Sequence, residues 1–587
     1  MPDPKEWTLM FYMASDNPLA ISIVSQLKAL KAAGYHKDVN VIAQFDPFTE
    51  GTPTHVFEVN LVNKLKYPGE SNIGFTERDD DSLVPALIED KLWRDETNRN
   101  GDQLIRDAVK KVFEQNNAPK VYHAPMAPEL NGTPPRYGVR KQEQDAYTSL
   151  RRFVNFCAEK YPANHYMLFM IGHGVVVGND VFMYDEHAET KSLTLGALGD
   201  ILREFKEKIE EQRIEEQDPK PSFDLISFHS CSVSSIEVAY ELDDTANYML
   251  ASQGPTFVGS WPYRQILMRI FKDVGQTGKT KDIDKLIKDI YSFCLHNTSD
   301  FLLAGYSHQV TLCDLRTIAE LNESMEYLSE ALKTALTKGK ADSASKFVIL
   351  FAHWRAQSFY KEMYTDLYDF CQCVLERCER IKQAPNGTLS DPLKQIADAC
   401  ESVMTQLGKS PTPSTSGAEQ TLPPKPIGLQ ADFAGPGYQY SNGLSIYFPW
   451  NEPSEDSQIL QQYKEYKFCE KFETSWLDFL KLYFDETRRS SRKTEQRQRN
   501  PLVKPLGDPT LEAEELQEDI ASLIYSGEGP LGSYALKGDP EDKQGGDCDC
   551  ISFKNYARDT RARGDRRKQA QKMPARQTLL GRFEGFK

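Results

Sequence analysis

No stretch of this chain holds the ~18 consecutive apolar residues that a membrane-spanning helix needs, so no membrane partner is expected. A basic region followed by an apolar run and a small-residue cleavage site is also missing at the start. Instead "EWTLMFYMASDN" reads at once as a strand, and a soluble, cytoplasmic protein is expected. Regular cysteine spacing is absent. The 11 cysteines are odd in number and scattered, which fits free thiols in a reducing compartment better than a disulfide framework. Positive charge is in deficit: Lys and Arg number 70 against 86 Asp and Glu, a net charge of -16. A duplex backbone would repel such a body, which excludes a general nucleic-acid binder. Internal repeats are missing as well.

What the chain does have is core-forming material. Of its 587 residues 40% are hydrophobic and 11% aromatic, ample for one large domain with appendages or for two or three domains. The first half alternates strand-like and helix-like segments. "WTLMFYMA", "VNVIAQFD", "HYMLFMIG", "FDLISFHS" and "NYMLASQGP" read as strands. "NPLAISIVSQLKALKAAG", "SLVPALIEDKLW", "QLIRDAVKKVFEQNN", "YTSLRRFVNFCAEKYP", "TLGALGDILREFKEKIEEQ" and "SSIEVAYELDDTA" read as helices. This βαβα order predicts an α/β fold with a mostly parallel sheet flanked by helices. Residues 281–407 read as a helical insertion. "GLSIYFPW" is a late strand, and "YKFCEKFETSWLDFLKLYF" one helix that closes the main domain near 485. The Pro/Gly-rich stretch 116–145 reads as an inserted surface loop and the Pro/Ser/Thr-rich 408–428 as a linker. Residues 486–587 form a basic extension: 551–587 alone carries eleven Lys or Arg against three acids.

In an open parallel sheet, reactive groups gather beyond the carboxyl ends of the strands. Two such ends carry chemistry: "HYMLFMIGHG" delivers His173 between glycines, and "FDLISFHSC" delivers Cys231. If these strands are neighbours, a thiol and an imidazole emerge at one edge, the minimum equipment for covalent acyl transfer. The following helix would favour the thiolate through its dipole and free N–H groups. Gly174 would let a backbone N–H approach a developing oxyanion. Taken alone, a strand-end cysteine is more often a small buried apolar residue than a nucleophile.

The chain resembles the clostripain-like cysteine peptidases of the caspase-like clan. The resemblance is carried, in order, by "WTLMFYMASDNPL", "MLFMIGHG", "FMYDEHAETKSLTLGAL", "FDLISFHSCSVSSIEVAYEL", "YMLASQGPTFVGSWPY", "SFYKEMYTDLYDF" and "GLSIYFPW", spanning roughly residues 6–485. It implies a caspase-like sheet, a His173–Cys231 dyad and an oxyanion hole formed by the Gly174 and Cys231 amides. It also implies substrate contacts from Asp16, His229, Ser252, Gln253 and Trp261 and no required cofactor, although some relatives need calcium.

One departure matters. The family commonly carries an acid two positions before the nucleophile, where it selects Arg or Lys at P1, but His229 stands there. Gln253 likewise stands where the family often shows an acid. An imidazole cannot replace a carboxylate as partner of a guanidinium, so the family's basic P1 preference would need Asp16, Asp46 or Asp185 to supply the charge. His229 then either lines the pocket or titrates beside Cys231, which lies two positions on along the same face.

Other candidates read more plainly. Cys371, Cys373 and Cys378 lie in a helical segment without a further ligand at metal spacing and read as core thiols. Cys548 and Cys550 lie in the weakly patterned extension, and His187 reads as a loop residue. The expected function is a cysteine endopeptidase acting on protein substrates, gated by processing, by an activating protease or by a regulatory partner. A place in bacterial defence follows only by analogy with caspases. The alternative is a catalytically silent scaffold on the same fold. Nucleic acid is a partner only through the basic tail.

Overall fold

The computed structural model describes residues 4–46, 55–59, 121–123, 146–212, 223–297, 307–337, 343–408 and 427–498, apart from 18, 178–180, 186, 187, 189, 258, 361, 386, 435, 454–456 and 474. Helices expected at "SLVPALIEDKLW" and "QLIRDAVKKVFEQNN", most of 116–145, residues 409–426, His187 and everything after 498 lie outside the described residues.

Strands β1 (Lys5–Met13), β2 (Val39–Phe45), β5 (Ala163–Ile171), β6 (Phe223–His229) and β7 (Ala246–Ala251) pair in parallel in the order β7-β6-β5-β1-β2. They are the expected mostly parallel core. Antiparallel strands extend both edges: β8 (His308–Asp314) and β11 (Gly428–Ala434) beside β7, and β3 (His55–Glu58) and β4 (Val121–His123) beside β2. The sheet is therefore mixed, with parallel pairing confined to its five central strands.

Those central strands read as near-continuous apolar runs because helices cover both faces. Alternate residues divide between two cores. Met10 and Tyr12 of β1 and Leu168 and Met170 of β5 face one core; Leu9, Phe11, Phe169 and Ile171 face the other. The second face is covered by α1 (Ala20–Ala32), α5 (Tyr263–Val274) and α6 (Ile283–His296), and Phe11 stacks on Phe169 with ring centroids 4.7 Å apart. Each such buried side chain stabilises the fold by roughly 1.5–3 kcal/mol. The first face meets α2 (Ala146–Lys160), α3 (Leu195–Gln212) and α4 (Ile236–Leu242), and then the helical half: α7 (Asn322–Leu336), α8 (Ser343–Arg355), α9 (Leu367–Lys382), α10 (Asp391–Gln406) and α11 (Ser475–Gln498).

Three expectations change. The region read as helical also contains β8, whose "HQVTLCD" alternates at strand period. "GLSIYFPW" contributes only β12 (Ser445–Tyr447), paired with β10 (Tyr364–Asp366) and through it with β9 (Ser358–Phe359) in a small separate sheet. The single helix expected over 466–484 is broken. Short helices Ile459–Lys464 and Lys467–Lys471 precede α11, and Glu473 takes a left-handed φ of 46° at the second break. α11 then runs on past 485 to Gln498.

Candidate active site

The ladder between β5 and β6 sets the site. Ile171 pairs with His229, so continuing the same register brings Gly172 abreast of Ser230 and His173 abreast of Cys231. The Gly172 N–H donates to the His229 carbonyl (3.5 Å), and Val175 N–H donates to the Cys231 carbonyl (2.9 Å). Burial picks out the same two residues. Between Tyr166 and Val177 only His173 is not buried, and between Phe223 and Leu242 only Cys231 is not. Of the nine cysteines described, Cys231 alone escapes burial; Cys371, Cys373 and Cys378 are core thiols.

Backbone shape around the pair is unusual. Val175 (φ 70°) and Ser232 (φ 52°) each follow the site in left-handed conformation, and Met183 (φ 51°) donates its N–H to the His173 carbonyl. A β-branched residue at positive φ is strained, and such strain gathers at functional sites. Gly174 is required by contact rather than by φ: a Cβ there would lie 1.6 Å from the Cys231 carbonyl oxygen. Among the described residues its N–H has no hydrogen-bond partner.

The two side chains sense one another. Burial lowers the His173 pKa, and the nearby Cys231 thiolate opposes that shift. The His173 ring packs edge-on to Tyr184, 6.4 Å between centroids. Helix α4 does not serve the thiol as the sequence suggested. It begins at Ile236 with Ser235 as N-cap, and the intervening Ser232, Val233 and Ser234 amides are spent on the Gly254 and Ser252 carbonyls. The donor facing sulfur is the Thr256 N–H, 3.4 Å from Sγ, while Thr256 Oγ1 donates to the Ser230 carbonyl at 3.1 Å.

His229 is buried and fully engaged. Its Nδ1 lies 2.9 Å from the Tyr263 hydroxyl and its Nε2 2.7 Å from the Phe257 carbonyl, which assigns the neutral Nε2–H tautomer. The ring stacks on Trp261 at 4.6 Å, and burial drops its pKa to about 4. A charged titrating role beside Cys231 therefore has no footing near neutral pH. Gln253 is a strut: Nε2 donates to Asp366 (3.0 Å) and Oε1 accepts from the Gly443 N–H (2.8 Å). The Ser252 hydroxyl accepts from the Gly254 N–H at 3.2 Å and lies 3.3 Å from Gln309 Oε1. Asp16 does not join this group. It sits with Asp46 and Asp185 in a buried cluster whose carboxylate oxygens lie within 4.8 Å of one another, at the ends of β1 and β2 and in the loop after His173.

Several residues of the site escaped sequence reasoning. Buried His308 at the start of β8 has no partner for either ring nitrogen among the described residues, and neighbouring His229 helps burial hold its pKa down at about 3. The late "SNGLSIY" segment braces the nucleophile turn. The Ser234 hydroxyl donates to the Gly443 carbonyl (2.6 Å), the Ser445 hydroxyl donates to the Ser234 carbonyl (2.9 Å), and Glu237 of α4 accepts from the Tyr447 N–H (2.8 Å). A distance of some 210 residues in sequence hides this bracing. The small polar residues of "SCSVSS" were its one trace.

The sequence profile of the clostripain family, peptidase C11, matches residues 11–482. Clostripain from Hathewaya histolytica is 19% identical over 354 residues, 54% of this chain; the chain spans 63% of that protein's length. Two solved structures each cover 80% of this chain and are themselves covered to 99%. One is an inactive zymogen C11 protease from Parabacteroides distasonis (14% identity, TM-score 0.42). The other is a secreted C11 cysteine protease from Bacteroides thetaiotaomicron in complex with an irreversible peptide inhibitor (12% identity, TM-score 0.41).

Proposed function

Because this chain belongs to the clostripain family of cysteine peptidases, we propose that it is a cysteine endopeptidase with Cys231 as nucleophile and His173 as general acid–base. The supporting observation is the shared register at the ends of β5 and β6, where these two are the partly exposed side chains in otherwise buried runs. His173, held below the ordinary imidazole pKa, takes the thiol proton as sulfur attacks the scissile carbonyl. The oxyanion of the tetrahedral intermediate is received by the Gly174 and Cys231 N–H groups. The resulting imidazolium then protonates the departing amine, leaving an acyl-enzyme. In deacylation His173 accepts a proton from water as it attacks the thioester and returns it to sulfur. One oxyanion donor contributes about 10²–10³ in rate.

P1 selection by an acid two positions before the nucleophile is replaced here. His229 is neutral and Gln253 is occupied within the fold, so the wall beside Cys231 favours uncharged P1 side chains; any preference for Arg or Lys rests on Asp16, Asp46 or Asp185. The same three carboxylates are the donor set that suits calcium, a hard cation held by oxygen ligands. Activity is gated. Cleavage within 116–145 or 408–428 switches the peptidase on, or cover by the C-terminal extension keeps it silent until it is needed. The nine described cysteines are all unbridged, in keeping with a reducing compartment. Profiling a peptide library with wild type and Cys231→Ala, alongside sequencing of new termini after incubation, tests the reading. Hydrolysis that survives the substitution removes the nucleophile assignment, and an uncut chain that is fully active removes processing.

A further inference from the structure

Helix α8 carries an aromatic stripe that no described element covers. Phe347 is 50% exposed and Trp354 44% exposed; with Phe351 between them they lie at i, i+4 and i+7, one line along the helix. Single exposed apolar residues are ordinary, but a line of three aromatics on one helix face marks an interaction surface. The stripe is basic as well as apolar. The Arg377 guanidinium of α9 lies 4.8 Å above the Phe347 ring and 5.1 Å above Phe351, and Arg355 lies 5.5 Å from Phe351. Among the described residues Arg377 makes no ion pair, and its Nε has no hydrogen-bond partner. Whatever covers this face should bring apolar side chains rimmed by carboxylates.

The chain itself contains such a segment. Residues 508–527 read "DPTLEAEELQEDIASLIYSG". Asp508 before Pro509 is a helix-start signal and Gly527 a stop signal. Ala513, Leu516, Ile520 and Leu523 repeat at helical spacing, and Ile524 widens the stripe. Glu512, Glu514, Glu515, Glu518 and Asp519 supply five negative charges. Although the extension beyond 551 is strongly basic, this part of it is acidic.

The exit of the chain brings the two together. Lys346 of α8 is salt-bridged to Glu486 of α11 (2.8 Å), and His353 is hydrogen-bonded to Tyr483 (2.7 Å). The ion pair places Glu486 of α11 beside the Phe347 end of the stripe. α11 ends at Gln498, about 18 Å past the level of Glu486 at 1.5 Å per residue. The nine residues 499–507 reach roughly 30 Å when extended, enough to turn back to Phe347.

We propose that residues 508–527 form an acidic amphipathic helix that docks, within the same chain, on the Phe347–Phe351–Trp354 stripe, with its carboxylates toward Arg377 and Arg355. The C-terminal extension is thereby latched to the helical half of the peptidase, on the core face opposite α1, α5 and α6.

Hydrogen exchange on the full-length chain tests this. Amides of 511–525 should exchange at least about tenfold more slowly than those of 535–550, and the Phe347→Ser/Trp354→Ser double variant should lose that protection. Leu516→Ser/Ile520→Ser should in turn speed exchange in α8. A charge swap separates docking from damage to the fold: Arg377→Glu should release the segment, and Arg377→Glu with Glu515→Lys should restore protection. Equal exchange in wild type and the stripe variant overturns the proposal. So does a dimer, detected by light scattering, that the stripe substitutions dissolve while 511–525 exchanges freely, because the occupant is then a second copy. Peptidase activity is not needed for any of these readings, so the latch stands or falls independently of the proposed dyad.

Discussion

Along the carboxyl edge of the sheet, the two sides of His173 are built from opposite materials. On the β6–β8 side the described residues nearest the thiol are uncharged and mostly spent: His229 on Tyr263 and Phe257, Gln253 on Asp366 and Gly443, Ser252 on the Gly254 amide. On the β1–β2 side three carboxylates, Asp16, Asp46 and Asp185, crowd within 4.8 Å. The first side fixes the position of a nucleophile, because a loop tied by many hydrogen bonds has little freedom to move. The second concentrates negative charge in a buried place, which suits a cation, whether a metal ion or a basic side chain. Under the proposed function, positioning falls to the first side and any selection of a basic P1 side chain to the second.

The comparison can be broken in stages. Removing the nucleophile should have the largest effect: Cys231→Ala lowers turnover by at least about 10⁴-fold without lowering the melting temperature, read by peptide hydrolysis and thermal denaturation. Gly174→Ala comes next. Its methyl must displace the Cys231 carbonyl, and kcat should fall about 10²–10³-fold, the worth of one oxyanion donor. The division between the two sides predicts a smaller, selective change. Asp185→Asn should cut hydrolysis after Arg or Lys about tenfold relative to uncharged P1 residues, while His229→Gln leaves the P1 ranking unchanged. Inverted outcomes would erase the distinction drawn here.

The smallest effect is on stability against pH. Burial holds His229 at about 4 and His308 at about 3, both below the ordinary 6.5. The unfolded chain binds protons that the fold refuses, so their contribution is lost as pH falls from about 6.5 toward 3. Asp366 works the other way. Burial, with help from Asp369, raises it from 3.8 to about 6, so its contribution is present in acid and is lost as pH rises through about 6. His36 and His173 shift with His229 and His308, and Glu237, Glu241 and Asp243 shift with Asp366, so a single group is read as a difference between wild type and variant. The wild-type urea midpoint should lose more between pH 7 and 5 than that of His229→Gln, and equal losses would contradict this.

Local pattern made the central sheet legible. The runs around Phe11, Phe169 and Phe228 are apolar on both faces because helices cover both; strand-end position nominated His173 and Cys231, and the resemblance to the clostripain-like peptidases set them above core residues. The parts that stayed hidden depend on partners distant in sequence. Nothing near Gln253 announces Asp366 or Gly443, and nothing near Ser234 announces Ser445. The thiol's donor was misread for a related reason. A helix does follow Cys231, but the turn that reaches it consumes the intervening amides, and the N–H facing sulfur comes from Thr256 in another loop. The break before α11 was missed because apolar spacing continues across Glu473, whose left-handed φ leaves no mark in periodicity.

The central claim, a thiol activated by the imidazole beside it, is tested most directly by alkylation with iodoacetamide, followed cysteine by cysteine in wild type and in His173→Ala. Cys231 should react far faster than the other ten thiols near neutral pH and lose most of that advantage when the imidazole is removed. Labelling of Cys231 at the pace of the buried thiols, or at a rate that ignores His173, would contradict it.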